Sequence, residues 1–386
     1  MVKTLFDIAL ILIFTKIGGL LSRKLKMPEV LGALLAGVLL GPVAFNIVHY
    51  DNNIKLLSNL GVIMLMFLAG LETNLEQLKK AGKSSFAIGS FGIFVPLVFG
   101  TLSAFLFYEN TLENIFIGVI LTATSVSITV ETLTELGKLN TRAGINILGA
   151  AVIDDILGLI LISVLLTANS GSGSASLMLT IIKIVVFCLF GVLAIVFLPK
   201  FINRLTQKIE PSRTLLTFAL AAALLVALLA ESLGIAAITG AYLCGLLFSQ
   251  FHHKEYIERN VKAISSGFLA PIFFVSVGLE ASLEGFSVRV IAITAIMFII
   301  AVIGKVIGCG AAARLFKMSR SEAAQIGVGM ISRGEVAIIT ANIGLQNGII
   351  TQEVFIPTIL VVLLTTILTP ILLRLAFSHK RAHTPS

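Results

Sequence analysis

Gly149-Ala-Ala-Val-Ile-Asp-Asp-Ile-Leu-Gly-Leu159 places two neighbouring carboxylates, Asp154 and Asp155, in the middle of an apolar run at 143–168. A run of that length crosses a hydrocarbon core about 30 Å thick as a helix. A charge at such depth costs roughly 2.5–3.5 kcal/mol on insertion scales, so one that persists there points to function. Adjacent helical residues point about 100° apart, so the two carboxylates cannot share one partner. One can pair with a fixed cation and leave the other to hold a mobile one. Two close carboxylates also raise each other's proton affinity, as does loss of water. A group poised between a proton and a metal ion is what an exchanger needs; the plainer reading is an ion pair that only holds helices together.

The rest of the chain agrees with a membrane setting. Its 386 residues are 57% hydrophobic and 12% charged, with a mean hydropathy of +1.04. Soluble domains carry about twice that share of charge, and disordered or fibrous chains are far more polar or repetitive. The apolar runs predict thirteen spans, at 5–21, 30–48, 56–71, 86–107, 114–134, 143–168, 177–199, 214–231, 234–250, 263–279, 289–313, 322–344 and 353–375. The first resembles a signal-peptide core, but Lys16 interrupts it and no small-residue cleavage pattern precedes Ser22, so it reads as a span. The tail from His379 is too short to fold by itself.

Lys and Arg concentrate in the breaks after odd-numbered spans and in the tail, including Arg23, Lys24, Lys79, Lys80, Lys83, Lys200, Arg204 and Arg213. The opposite side holds only Lys3, Lys55 and Arg289. This places the N-terminus outside and the C-terminus in the cytoplasm. It also accounts for the net charge of +8 without a nucleic-acid partner. Cys188, Cys244 and Cys309 sit singly in apolar runs and read as small buried hydrophobes. The five histidines fall in loops or the tail without metal-ligand spacing.

Few other charges lie at depth. Lys305, in Ile-Gly-Lys-Val-Ile-Gly, matches the depth of the aspartates, and Gly304 and Gly308 allow close helix approach. Structural partner and proton carrier are both open to it. Lys16 and Lys183 have no matching carboxylate in their own helices and read as snorkelling side chains. Two spans look broken: one contains Thr122-Ala-Thr-Ser-Val-Ser-Ile-Thr129, the other Gly329-Met-Ile-Ser-Arg-Gly-Glu-Val336 with Gly327 close by. Unwound backbone in a membrane is tolerated only where it lines a site, and half-helix dipoles then meet at one depth. Arg333 and Glu335 are placed to neutralise those ends. Thr124 and Ser125 are ligand candidates, although packing hydroxyls bonded to preceding carbonyls would look the same. Matching spans 86–107, 114–134 and 143–168 to spans 289–313, 322–344 and 353–375 puts both interruptions in the middle member, the pattern of an inverted repeat.

At these residues the chain resembles the monovalent cation/proton antiporters, of the bacterial NapA type, over nearly its full length. The carriers are Thr122-Ala-Thr-Ser-Val, Val152-Ile-Asp-Asp-Ile-Leu-Gly-Leu, Ala270-Pro-Ile-Phe-Phe-Val-Ser-Val-Gly-Leu, Gly304-Lys305 and Ser332-Arg-Gly-Glu-Val. The resemblance implies an all-α polytopic fold with two broken crossing helices and inverted repeats. It implies a homodimer in the cytoplasmic membrane, with a dimerisation domain (about 1–83 and 214–279) and an ion-carrying core (about 84–168 and 289–378) linked by the helix at 177–199. It further implies that Asp155 binds Na⁺ or Li⁺, that Asp154 pairs with Lys305, and that Thr124 and Ser125 lie by the site. The Asp-Asp form with this lysine goes with electrogenic exchange of two protons per sodium, without a cofactor. K⁺/H⁺ exchange is the nearest alternative.

Other classes fit less well. A channel needs a ring-lined pore, and an intramembrane aspartyl protease needs aspartates facing each other from separate helices. A sodium-coupled solute symporter shares the fold and stays open.

Overall fold

The computed structural model describes residues 2–25, 27–170, 175–206, 213–279 and 288–378, and these form helices with no strand among them. In chain order they are α1 (Val2–Lys24), α2 (Glu29–Leu40), α3 (Asn52–Glu72), α4 (Leu75–Ala104), α5 (Thr111–Ile120), α6 (Val126–Glu135), α7 (Arg142–Ser170) and α8 (Ala175–Thr206). Then come α9 (Arg213–Ser232), α10 (Ala237–Phe248), α11 (Lys254–Ile264), α12 (Ala270–Leu279), α13 (Val288–Leu315), α14 (Arg320–Gly329), α15 (Glu335–Gln346) and α16 (Gln352–Ser378). Among the described residues, nine helical stretches are long and apolar enough to cross a membrane.

Local chemistry sets the helix ends. Asp51 accepts from the N–H groups of Asn53 and Ile54 to start α3, and Asn74 accepts from Gln77 to start α4. Ser319 and Glu322 bond reciprocally at the start of α14, satisfying two orphan donors. Gly234, at φ +83°, makes the turn that separates α9 from α10.

Three of the differences from the sequence reading have a clear physical reason. The span read at 30–48 is helical only to Leu40, because Gly41-Pro42 cannot continue it. The helix read from 86 begins at Leu75, since the polar turns of Lys79, Lys80 and Lys83 are good helix formers beyond the apolar run. The stretch 254–262, read as a break, lies within helix α11, and a π-helical turn at Ser265–Leu269 joins that helix to α12.

The helices pack in two groups. In one, α1 lies on α2, α2 and α3 on α12, and α10 between α3 and α9. In the other, α4 packs along both α7 and α13, and α13 packs on α14 and α16. Helix α6 touches α2, α3, α7 and α16, and α8 touches α7 and α10. Small residues permit close crossings: a Cβ on Gly245 of α10 would lie 2.2 Å from the Phe67 carbonyl of α3. On α9, Ala219, Ala223, Ala227 and Ala230 form a buried stripe, while Phe218, Leu225 and Leu228 face outward. Outward apolar residues also coat α8, as a lipid-facing surface requires.

Candidate functional site

The two aspartates of α7 turn to different groups of helices. Asp154 faces α13, where Lys305 Nζ lies 3.0 Å from its Oδ1; the two side chains are 2% and 0% exposed. Gly92 of α4 lies close by: a Cβ there would press on Cys309 Sγ at 2.7 Å and come into ordinary contact with Lys305 Nζ at 3.6 Å. Asp155 faces α10, and Thr239 donates from Oγ1 to its Oδ2 at 2.8 Å. Beside it is a cavity of about 10 Å³, lined by Asp155, Thr239, Tyr242, Met66 and Val126 among others. That is room for about one water-sized sphere.

The interrupted helices cross next to this pair. The stretch between α5 and α6 meets the stretch between α14 and α15 through a bond from Ser125 N–H to the Ser332 carbonyl, 2.7 Å long. Contact is close enough that a Cβ on Gly334 would sit 2.6 Å from Ser125 Oγ. Arg333 is 1% exposed and donates to the carbonyls of Leu121 (2.6 Å), Ile331 (2.7 Å) and Ala301 (3.2 Å). Leu121 and Ile331 close the C-terminal ends of α5 and α14, where a cation offsets the negative ends of both half-helix dipoles. Thr124 is buried and bonds weakly to the Thr122 carbonyl. Neither Thr124 nor Ser125 lines the cavity at Asp155; Val126, the next residue, does. Glu335 opens α15, and its side chain lies outside the described residues.

Further along α6 the space widens. One cavity of about 170 Å³ is lined by Glu72, Val130, Glu131, Glu135 and Lys262. Another of about 480 Å³ is lined by Lys16, Glu29, Glu131 and Glu135 among others. Lys16 lies 3.9 Å from Glu29 of α2, and Arg23 also bonds that carboxylate. Glu135 accepts from the N–H groups of Glu29 and Val30, at 2.5 and 3.0 Å.

The sequence matches the transmembrane sodium/hydrogen exchanger pattern over residues 9–378. The chain belongs to the sodium/hydrogen exchanger family. Across 97% of its length this exchanger is 40% identical to the Na(+)/H(+)-K(+) antiporter GerN of Bacillus cereus, covering 96% of that protein. It is 38% identical to an Na(+)/H(+) antiporter of Enterococcus hirae, over 95% of this chain and 96% of the other. Its fold is that of the sodium proton antiporter MjNhaP1 of Methanocaldococcus jannaschii, with a TM-score of 0.76 over the whole of both chains at 17% identity. The exchanger is a membrane transporter rather than an enzyme.

Several polar contacts of the exchanger's site were not singled out from the sequence. Thr239 is one. Thr366 of α16 is another, donating to the Arg333 carbonyl at 2.6 Å, and Thr129 donates to the Gly329 carbonyl at 2.8 Å. Thr129 ends the hydroxyl-rich run and was legible as part of it. Thr239 and Thr366 carried only the signal of a hydroxyl in an apolar helix, which packing residues share.

Proposed function

We propose that this chain exchanges Na⁺ (or Li⁺) for H⁺ across the cytoplasmic membrane by alternating access, with Asp155 as the carboxylate that holds the cargo. The observation that carries the reading is the split between neighbouring aspartates. Asp154 is committed to Lys305, while Asp155 borders a cavity sized for a single water-sized body. The relatives named above are cation/proton antiporters, which disfavours a solute symporter. Sodium and protons compete for Asp155, so loading with one requires release of the other. Lys305 bonds Asp154 in the absence of sodium and yields a proton when sodium binds, giving two protons per sodium and net charge movement. Arg333 holds the crossing together, with Thr124 and Ser125 beside it and Glu335 at the start of α15.

The group containing α4, α7, α13 and α16 is the moving core in this reading. The group containing α1–α3 and α9–α12 is the fixed scaffold, through which two copies pair within the lipid. The wide cavities at Glu131 and Glu135 open toward the Lys- and Arg-rich face, which the loop charges assign to the cytoplasm, with the N-terminus outside. Potassium as an alternative cargo is favoured by the name of the Bacillus cereus relative, which includes K(+).

Proteoliposome flux tests the proposal. Purified wild type should move protons in response to Na⁺ and respond to an imposed membrane potential, and Asp155→Asn should do neither while unfolding at the wild-type temperature. Substantial exchange by well-folded Asp155→Asn removes Asp155 from its role. Indifference of the wild type to potential removes the two-proton stoichiometry. Parallel runs with Li⁺ and K⁺ name the cargo.

A further inference from the structure

An exchanger loses its gradient if its site crosses the membrane empty, so something must hold the unloaded site in place. Asp155 and Thr239 are placed for that task. Asp155 rides on α7, in the helix group with α4, α13 and α16; Thr239 sits in the first turn of α10, which packs on α3 and α9. Their bond, 2.8 Å from hydroxyl to carboxylate, therefore runs between the two groups at the cargo site itself. Thr239 is 3% exposed, so water does not readily replace it.

We propose that Thr239 is a positioning residue that ties the unloaded Asp155 carboxylate to the opposite helix group, and that cargo frees the site by displacing its hydroxyl. This rests on the reading of Asp155 as the cargo carboxylate. A hydroxyl has one proton to donate, and a bare carboxylate is the acceptor that holds it best. A sodium ion on Oδ2 repels that proton and takes its place. A protonated carboxyl is a neutral and weaker acceptor. The tie is thus strongest in the one state that must not move. The adjacent cavity admits about one water-sized body, which brings an ion within reach of the same carboxylate that the hydroxyl holds. A hydrogen bond to a charged group corresponds to roughly a 10- to 100-fold change in equilibrium, which sets the size of the effect.

Thr239→Val keeps the shape and removes the hydroxyl; Thr239→Ser keeps the hydroxyl. Two fluxes are compared in sodium-loaded proteoliposomes at an alkaline pH equal on both sides. Net sodium efflux that is not matched by proton uptake requires the empty site to return, whereas exchange of labelled for unlabelled sodium does not. Thr239→Val should raise the ratio of this unmatched efflux to exchange by about tenfold, and lower the KM for sodium by a similar factor. Thr239→Ser should behave as wild type. A raised KM with an unchanged ratio makes the hydroxyl an ion ligand and overturns the proposal, and so does a Thr239→Val protein equal to wild type in both measures. If Thr239→Val does not fold, Thr239→Ala is held to the same two outcomes. Exchange surviving in Asp155→Asn is a separate failure, of the cargo site; an inactive Asp155→Asn with an unaltered Thr239→Val defeats the tie alone.

Discussion

Lys305→Gln removes the cation from a pair that water does not reach. With side chains 0% and 2% exposed and 3.0 Å between Nζ and Oδ1, Asp154 is left as a buried carboxylate facing an amide. Breaking a buried pair from one side costs about 3–5 kcal/mol. The entropy of unfolding, about 2.1 cal/mol/K per residue, comes to roughly 0.8 kcal/mol/K for a chain of this length, so the midpoint should fall by about 4–6 °C. Asp154→Asn strands the ammonium and should cost a similar amount. The double variant leaves two neutral amides across the same gap, and exchanging a buried ion pair for neutral groups is often neutral in stability. It should unfold within about 1 °C of wild type. Thermal unfolding of the four purified proteins in one detergent gives the cycle. Single variants that each unfold within about 1 °C of wild type, or a double variant that loses the sum of the two, would refute the reasoning.

Two further outcomes follow from the crossing and from the loop charges. Gly334→Ala pushes a methyl group against Ser125, where overpacking costs about 1–3 kcal/mol, and should lower the midpoint by about 1–4 °C; an unchanged midpoint means the crossing yields without strain. In a background without the three native cysteines, a cysteine at 79–83 should label only from the cytoplasm and one at 170–176 only from outside; labelling of both from one side contradicts the orientation.

How much was legible depended on whether the signal was local. The helix breaks were, because a run of hydroxyls at 122–129 and glycines at 327, 329 and 334 have few other uses at membrane depth. The candidacy of Lys305 as a partner was also legible, since charge at matching depth in an apolar chain leaves few choices. The early end of α2 was written in Gly41-Pro42 but masked by the apolar residues that follow. The π turn at Ser265–Leu269 has no sequence signature of its own, and the helical character of 254–262 was hidden because a span search looks for apolarity, which that stretch lacks. Thr239 was invisible for another reason: its meaning lies in the 84 positions that separate it from Asp155, a distance that only the fold closes, by bringing the start of α10 up to the middle of α7.

The start of α2 is finished by a residue from far along the chain. Pro28 brings no side-chain acceptor, so the first N–H groups of the helix, at Glu29 and Val30, go to the carboxylate of Glu135 at the end of α6. A missing cap costs about 1 kcal/mol, less than twice the thermal energy RT of about 0.6 kcal/mol. Such a contact behaves as a ratchet tooth rather than a weld: it clicks α6 into register with α2, and ordinary thermal motion is enough to lift it out again.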